Sequence, residues 1–364
     1  MSTKSLRHLR RLSPHLSLQP AVRPSANIIH HATQTSNFCH LSSLRHQFKY
    51  INKQKAPSDP NSHRVSPESF SYIKLTESDI PPLSFWKTFV TPPLVPADAV
   101  TAEECDETCR EYVAQFAATP AARSRAALPP LLTLHYIASV LMNSPSGKPG
   151  LAMHIMYQLV RKSYAPSILT LSWFAVKTGH LLSDIRFAHA REGLEALANP
   201  AKGKSTSTQY RLDALTLLGQ AYGARNTPRD DVKALGFLTT AAEVFAEKPN
   251  SLWVWHASAV LVQSEIYMRQ KRPDLALSLF EMHAQKLDNA NVLYAYAMLL
   301  PDHHPKRTPM LERAAISACL PAALELGRIE QRRAKEPGLS ARERRDCEVL
   351  ADEWFMIAGE RRAA

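Results

Sequence analysis

The sequence predicts an all-α fold, an α-solenoid of antiparallel helix pairs that follows a disordered basic leader and a proline-rich arm. Three observations in the 364 residues support this fold class. After about residue 101, stretches with alanine-rich apolar faces alternate with short breaks marked by Pro or Gly. No convincing strand-period alternation of apolar and polar residues occurs there. Leu-Gly and Ala-Ala pairs recur along the same stretch, and such internal similarity is typical of stacked helical repeats.

The leader, residues 1–58, contains no acidic residue. The chain has 44 Lys plus Arg, 33 Asp plus Glu and a formal charge of +11, and nine of the basic residues precede Asp59, the first acid. At ~100° per residue, Leu6, Leu9 and Leu12 share one helix face and most of the nearby basic residues lie opposite. These features are typical of a mitochondrial transit peptide, so we expect import into the mitochondrial matrix. A basic tail that binds nothing is the alternative.

The rest of the chain is almost neutral. Subtracting nine from 44 leaves 35 basic residues against 33 acidic ones from position 59 onward, a net charge of +2. A general nucleic-acid binder needs a dense basic face that displaces counterions from phosphates. The charge therefore disfavours that class for the body of the protein.

The arm, residues 59–100, is rich in proline, with eight prolines between positions 57 and 96. Proline lacks a backbone donor and biases the residue before it toward extended conformations, so this segment is predicted to be a linker or an arm. It contains Phe85, Trp86 and Phe89. We expect these rings to pack against the domain that follows, and a partner-binding peptide is the alternative.

A helical-repeat region is predicted over residues 101–364, with its clearest units between 210 and 360. The best-defined unit joins a first helix with a Leu-Gly pair and an aromatic residue to a second helix with Lys-Ala and an Ala pair. Small residues are needed where two helix backbones approach, and larger apolar residues fill the space around them. The residues that define this unit are Leu218, Gly219, Tyr222, Ala234, Leu238 and Ala241.

This unit resembles a tetratricopeptide repeat of the Sel-one-like subclass. Its motifs occur at two places, and weaker echoes occur at four others. Members of that family commonly hold other proteins together, so the resemblance implies an adaptor or scaffold with a concave binding surface, compatible with peripheral association at the inner membrane. The other residues that carry the resemblance are Ala276, Phe280, Ala315, Ala322, Leu326, Gly327, Ala351, Phe355 and Ala358.

The last helix is predicted to cap the solenoid. Residues 325–364 hold nine basic and nine acidic residues around Leu350, Trp354, Phe355 and Ile357. An end unit needs a polar outer face to stay soluble. We therefore expect a polar cap around these apolar residues.

No motif for catalysis or cofactor binding occurs in the sequence. The first of only 11 glycines is Gly147, so no dinucleotide loop can lie in the first third, and no Walker loop or metalloprotease motif is present. We expect no enzyme, no cofactor and no metal site. Cys105 and Cys109 share a helix face, and two small buried residues are favoured over a zinc or redox pair. No apolar run reaches the ~20 residues of a membrane span.

The competing hypothesis is an organellar RNA-binding factor. Residues 151–174 and 275–299 also resemble pentatricopeptide repeats, a related helix-pair family that reads single-stranded RNA. Reading requires a polar side chain at a fixed place in each repeat. Ser172 fits that place, whereas the equivalent Ala295 has nothing to offer a base. The sequence therefore favours a protein partner over RNA, and an adaptor or assembly scaffold in respiratory-complex assembly or mitochondrial translation.

Overall fold

The computed structural model describes residues 75–92, 94–117, 127–200 and 207–359, and the leader lies outside them. Over these residues the all-α prediction is confirmed, because no strand occurs and fourteen α-helices pack as consecutive pairs. Two short 3-10 turns, Glu77–Asp79 and Ile185–Phe187, precede α1 and α6. The helices are α1 Leu83–Phe89, α2 Ala102–Ala117, α3 Leu131–Asn143, α4 Pro149–Arg161, α5 Ala165–Lys177, α6 Ala188–Ala198, α7 Thr208–Gly223, α8 Pro228–Glu247, α9 His256–Arg269, α10 Pro273–Leu287, α11 Ala290–Leu299, α12 Arg307–Ile316, α13 Leu320–Arg333 and α14 Ala341–Ile357.

Proline begins many of these helices. Helices α4, α5, α8, α10 and α13 have Pro at the first or second position, where its fixed φ suits the helix and no helical hydrogen bond is lost. Before four of them the chain makes the same tight turn, with a positive-φ residue two positions ahead of the helix. Tight turns bring consecutive helices back antiparallel to one another. The turn residues are Ser163, Asn226, Lys271 and Ala318.

The helices form two layers. Consecutive helices pack as pairs, for example α7 with α8 and α13 with α14, and the odd-numbered α5, α7, α9 and α11 also contact one another side by side. The even-numbered α6, α8, α10 and α12 make only marginal contacts among themselves. The odd-numbered helices are therefore the more closely packed layer, and we call their surface the inner surface of the stack.

The residues of the predicted repeat pattern are buried, apart from the half-buried Tyr222 and Ala358. A Cβ atom added at Gly219 would lie 2.7 Å from the Leu238 side chain, and one at Gly327 would lie 2.8 Å from the Phe355 ring. Both glycines of the Leu-Gly pairs thus lie where a side chain of the following helix approaches the backbone. The assignment to the tetratricopeptide family and its Sel-one-like subclass stays a prediction.

The buried apolar residues form two cores that meet in α9. The amino-terminal core extends from Leu75 to Ala259, and the carboxyl-terminal core from Val260 to Leu326. Because α9 contributes to both, it couples the two parts of the stack.

Two buried polar pairs join helices within the amino-terminal core. The hydroxyl of Tyr112 is hydrogen-bonded to Nδ1 of His154 at 2.8 Å, and Nδ1 of His135 is hydrogen-bonded to the hydroxyl of Ser167 at 2.9 Å. Each pair satisfies polar atoms that would otherwise be buried without a partner.

Part of the segment predicted to be a linker or an arm packs into the amino-terminal core, as expected for its aromatic rings. Helix α1 lies there, Trp86 has no exposed surface and Phe85 is buried. The Phe89 ring lies against Phe85, with centroids 4.9 Å apart. Pro82 serves as the N-cap of α1, so proline starts a helix here. The packed body begins by Leu75, ahead of the boundary at residue 101 that the sequence predicts.

The carboxyl-terminal helix differs from the predicted polar cap. Phe355 is buried and Trp354 half-buried, but Leu350 is 40% exposed and Ile357 50% exposed. The four-residue spacing of Ala351 and Phe355 places both on the side of α14 that packs on α13. Leu350 and Ile357 lie outside the side of α14 that packs on α13. The predicted polar cap is therefore incomplete, because these two apolar side chains are exposed.

Candidate functional site

The inner surface carries two depressions. The larger, about 370 Å³, lies between α9 and α11 with α10 beneath it. The smaller, about 230 Å³, lies between the carboxyl ends of α5 and α7. Because α10 belongs to the outer layer and contributes Phe280 to the lining, the larger depression opens on the inner surface. Its lining includes Glu265, Met268, Arg269, Phe280, Ala295 and Leu299.

The larger depression is mainly apolar. Phe280 is buried at its floor, and Met268 at its edge is 43% exposed. Ala295 and Leu299 on α11 are half-buried opposite α9. A concave apolar surface with an exposed methionine is typical of a binding site, because such surface is otherwise covered in a folded chain.

The basic side chains beside the depressions are engaged by carboxylates. Arg269 donates from Nη2 to Oδ1 of Asp231 at 2.6 Å and to the carbonyl oxygen of Gly223 at 3.0 Å. Arg225 forms an ion pair with Asp230 at 3.4 Å. These contacts tie α9 to the turn between α7 and α8. They also neutralise much of the positive charge that would attract a polyanion.

A charge interaction extends across α7. Burial lowers the pKa of the Lys177 ammonium group at the end of α5, and the carboxylate of Glu265 on α9 opposes this shift. Much of the Lys177 side chain is nevertheless solvent-exposed.

The loop before α9 is held against α7. Trp253 donates from Nε1 to the Thr216 hydroxyl at 2.9 Å. Asp213 is fully buried next to the same loop, and desolvation raises its pKa to about 8. The backbone N–H groups of Val254 and Trp255 favour its charged form, but neither carboxylate oxygen has a hydrogen bond of good geometry. These contacts fix α9, and with it one wall of the larger depression.

Two histidines meet on the outer side of the same region. The rings of His256 and His283 lie edge to face at 4.9 Å, and Trp253 stacks on His256 at 4.1 Å. Desolvation, with further contributions from His283 and Lys286, lowers the pKa of His256 to about 4. The neutral form of both imidazoles is favoured, and the positive charge of the neighbouring Lys286 opposes the binding of a metal cation there.

The cysteine pair is buried. Cys105 and Cys109 have no exposed surface, and desolvation raises the pKa of each thiol to about 12. A thiol that stays protonated is a poor metal ligand and a poor redox group. Among the described residues, no three His, Cys, Asp or Glu side chains come together in a metal-binding arrangement.

The structure shows the surroundings of Ser172 and Ala295, the two residues at the position where a pentatricopeptide repeat would contact an RNA base. Ser172 is fully buried, and its hydroxyl donates to the carbonyl oxygen of Ala190 at 3.4 Å. The expectation that Ser172 could contact a base is therefore wrong, because α6 covers it. Ala295 lines the apolar depression.

Sequence reasoning did not identify Met268, Arg269 or Leu299 as candidate residues. The repeat pattern marks residues that pack within the stack, whereas these three lie on its inner surface. In the sequence, the one signal for this surface is Met268, an apolar residue that directly precedes the charged Arg269 at the end of α9.

Comparison with known proteins gives no relative from which a function could be transferred. No protein-family model matches the chain, and neither a curated protein nor a solved structure matches it. Within the described part of the chain, no helix has the length and apolar character to cross a membrane.

Proposed function

We propose that this protein is a mitochondrial adaptor or assembly scaffold that binds another protein through the inner surface of its helical stack. The observation that carries the proposal is the apolar depression between α9 and α11, where the exposed Met268 lies beside a floor made by Phe280. Apolar clefts with few charged groups are suited to the side chains of a protein partner.

Two features favour protein over RNA as the partner. Arg225 and Arg269, the basic residues beside the depressions, are engaged by Asp230 and Asp231, and an RNA-binding groove needs basic side chains available for phosphates. Single-stranded RNA is also held by aromatic or polar groups that reach the bases. The buried Ser172 hydroxyl does not reach the surface where a base would lie.

The mitochondrial part of the proposal is supported by the acid-free leader. Deleting residues 1–58 is expected to leave the protein in the cytosol, because the basic amphipathic segment that import machinery recognises is then missing. Fluorescence microscopy and fractionation of tagged full-length and truncated chains measure this. Import that is unchanged by the deletion would contradict the assignment. Assembly of respiratory complexes or support of translation are the processes in which such an adaptor would act.

A pair of methionine substitutions tests the binding surface. Met268→Glu places a charge in the inner depression, and Met282→Glu places the same charge on α10 in the outer layer, where Met282 is 58% exposed. The tagged full chain is crosslinked in intact mitochondria, and protein and RNA are quantified in the purified material. Met268→Glu is expected to reduce the crosslinked protein partner by about tenfold or more, since it puts a charge into apolar surface that would be desolvated in the complex.

The control and the RNA measurement decide the outcome. Met282→Glu should retain the partner. Equal loss in both variants, or abundant specific RNA without a protein partner, would contradict the proposed function. Circular dichroism of both variants confirms that the fold is retained.

A further inference from the structure

Basic side chains are concentrated where α13 ends and α14 begins. Residues 328–345 contain seven Lys or Arg and three Glu, so seven minus three leaves a local net charge of +4. The whole chain from position 59 onward carries +2, so its other residues sum to −2. Such a concentration of one sign attracts a partner of the opposite charge. The seven are Arg328, Arg332, Arg333, Lys335, Arg342, Arg344 and Arg345.

Three of these side chains have carboxylate partners on α13. Arg328 and Arg332 form ion pairs with Glu325 at 3.8 and 3.3 Å, and Arg333 forms one with Glu330 at 3.9 Å. The other four are exposed, and within the described part of the chain no ion pair or hydrogen bond engages their side chains. These four free cations are Lys335, Arg342, Arg344 and Arg345.

The turn holds the free cations on ordered backbone. Helix α13 ends at Arg333 and α14 begins at Ala341, and Gly338 between them has a φ of +96°, which glycine adopts without strain. A capping box starts α14, because the N–H of Ser340 donates to the Glu343 carboxylate at 2.9 Å and the N–H of Glu343 donates to the Ser340 hydroxyl at 3.3 Å. The carboxylate of Glu343 is thus occupied by the cap.

The free arginines do not stabilise the helix that carries them. Arg342, Arg344 and Arg345 lie among the first five residues of α14, where the partial positive charge of the unpaired N–H groups disfavours cations. Asp346 follows Arg342 by four residues, but no ion pair joins the two side chains in the described structure. A bound anion would therefore compensate both the arginines and the helix dipole.

The surroundings of these cations favour a partner that carries carboxylates. No aromatic residue lies between positions 328 and 346, whereas single-stranded RNA is held by aromatic side chains that stack on its bases. Ile329 and Leu339, the two large apolar residues of this stretch, are half-buried, whereas a helix that binds anionic lipid inserts exposed apolar side chains. Arginine pairs with a carboxylate through two parallel hydrogen bonds. An acidic segment of a protein meets these conditions.

We propose that the turn between α13 and α14 binds an acidic segment of a partner protein. Arg342 and Arg345 lie three residues apart on one side of α14 and offer paired donors to carboxylates. Lys335 adds a cation from the turn itself. This site shares no residue with the depression between α9 and α11, so it does not depend on the proposed function. A partner held at the depression would gain a second attachment from it.

Position-specific crosslinking tests the proposal. The full chain carries a photo-crosslinking amino acid at position 341, beside Arg342, and in a second variant at position 232 on α8, where Val232 is 67% exposed. The probe is a labelled octaglutamate peptide. Only adducts at these two positions are counted, so peptide that binds the basic leader does not enter the measurement. The adduct at 341 should exceed that at 232 by about tenfold and should fall as NaCl is raised from about 50 to 200 mM.

Two double variants identify the side chains that bind the peptide. R342E/R345E should reduce the adduct at position 341 by about tenfold or more, because like charges then face the peptide. Acidic residues suit the first turns of a helix, so α14 is retained in this variant. R161E/K162E makes the same change of net charge at the end of α4, where both side chains are exposed, and should leave the adduct unchanged. Circular dichroism checks the fold of both.

Five results would overturn the proposal. They are the lack of an adduct at position 341, equal adducts at 341 and 232, equal loss in the two double variants, a larger adduct at 341 with octauridylate RNA than with the peptide, and cosedimentation with vesicles of equal parts phosphatidylcholine and phosphatidylserine that R342E/R345E abolishes. Met268→Glu should leave the peptide adduct at 341 unchanged, so failure of this site is distinct from failure of the adaptor function.

Discussion

The amino-terminal core and the carboxyl-terminal core of this protein differ in the side chains that fill them. The first contains large aromatic residues such as Trp86, Tyr112 and Phe187 with no exposed surface. The second is rich in alanine, and it lies beside the buried ion pair of Arg307 and Glu325 at 3.3 Å. Both regions also contain buried polar pairs, so the difference lies in side-chain size, and small side chains let helix backbones approach closely.

The largest expected effect comes from the aromatic ring that secures the last helix. Phe355→Ala should lower the free energy of unfolding by about 3–5 kcal/mol, because it removes a buried ring that packs against Gly327. Thermal and urea denaturation measure the change. Val232→Ala, at an exposed position on α8, should alter stability by less than about 0.5 kcal/mol. An unchanged melting temperature for Phe355→Ala would show that α14 does not depend on this contact.

The ion pair of the carboxyl-terminal region gives the next largest effect. Glu325→Gln should destabilise the fold by about 3 kcal/mol, because it leaves the buried guanidinium of Arg307 with Asp302 as its only charged partner among the contacts described. The matched control is Asp288→Asn, which breaks the exposed pair with Arg313 at 2.6 Å and should cost less than about 1 kcal/mol. Equal effects in urea denaturation would mean that the buried pair is not needed.

The amino-terminal core should respond to pH through Asp213. Desolvation raises the pKa of this carboxyl group from 3.8 to about 8, so the folded state binds its proton more tightly than the unfolded state. The resulting stabilisation is complete below about pH 4 and is lost as the pH rises toward 8. Asp213→Asn removes the titrating group, so its stability relative to the natural chain should be greater at pH 8 than at pH 4.

Urea denaturation of both chains across this pH range measures the effect. The difference between them should shrink as the pH falls toward 4. A constant difference at all pH values would contradict the assignment to Asp213.

The all-α fold class could be predicted from the sequence because the recurring small and apolar residues report contacts between neighbouring helices. Gly219 and Leu238, for example, belong to consecutive helices that meet across one short turn. Such local contacts leave a regular spacing in the sequence. The helix in the proline-rich segment was not predicted, because proline favours helix starts as well as extended linkers.

The surfaces could not be predicted, because they depend on contacts between distant residues. Ser172 is buried only because α6 lies across it, and Asp213 is buried by the loop before α9. Helical spacing identifies Val349 and Met356 as apolar positions of α14, but it does not show whether another helix covers them. Residues that line the larger depression, such as Met268, lie outside the repeat pattern and so carry no recurring signal.

The central claim is that the inner surface between α9 and α11 binds a protein. The most direct measurement places a photo-crosslinking amino acid at position 268 in the full chain, and in a second variant at position 282 on the outer layer, and irradiates intact mitochondria. A discrete protein adduct at position 268 that is missing at position 282 is the predicted result. An RNA adduct at position 268, or the same adducts at both positions, would contradict it.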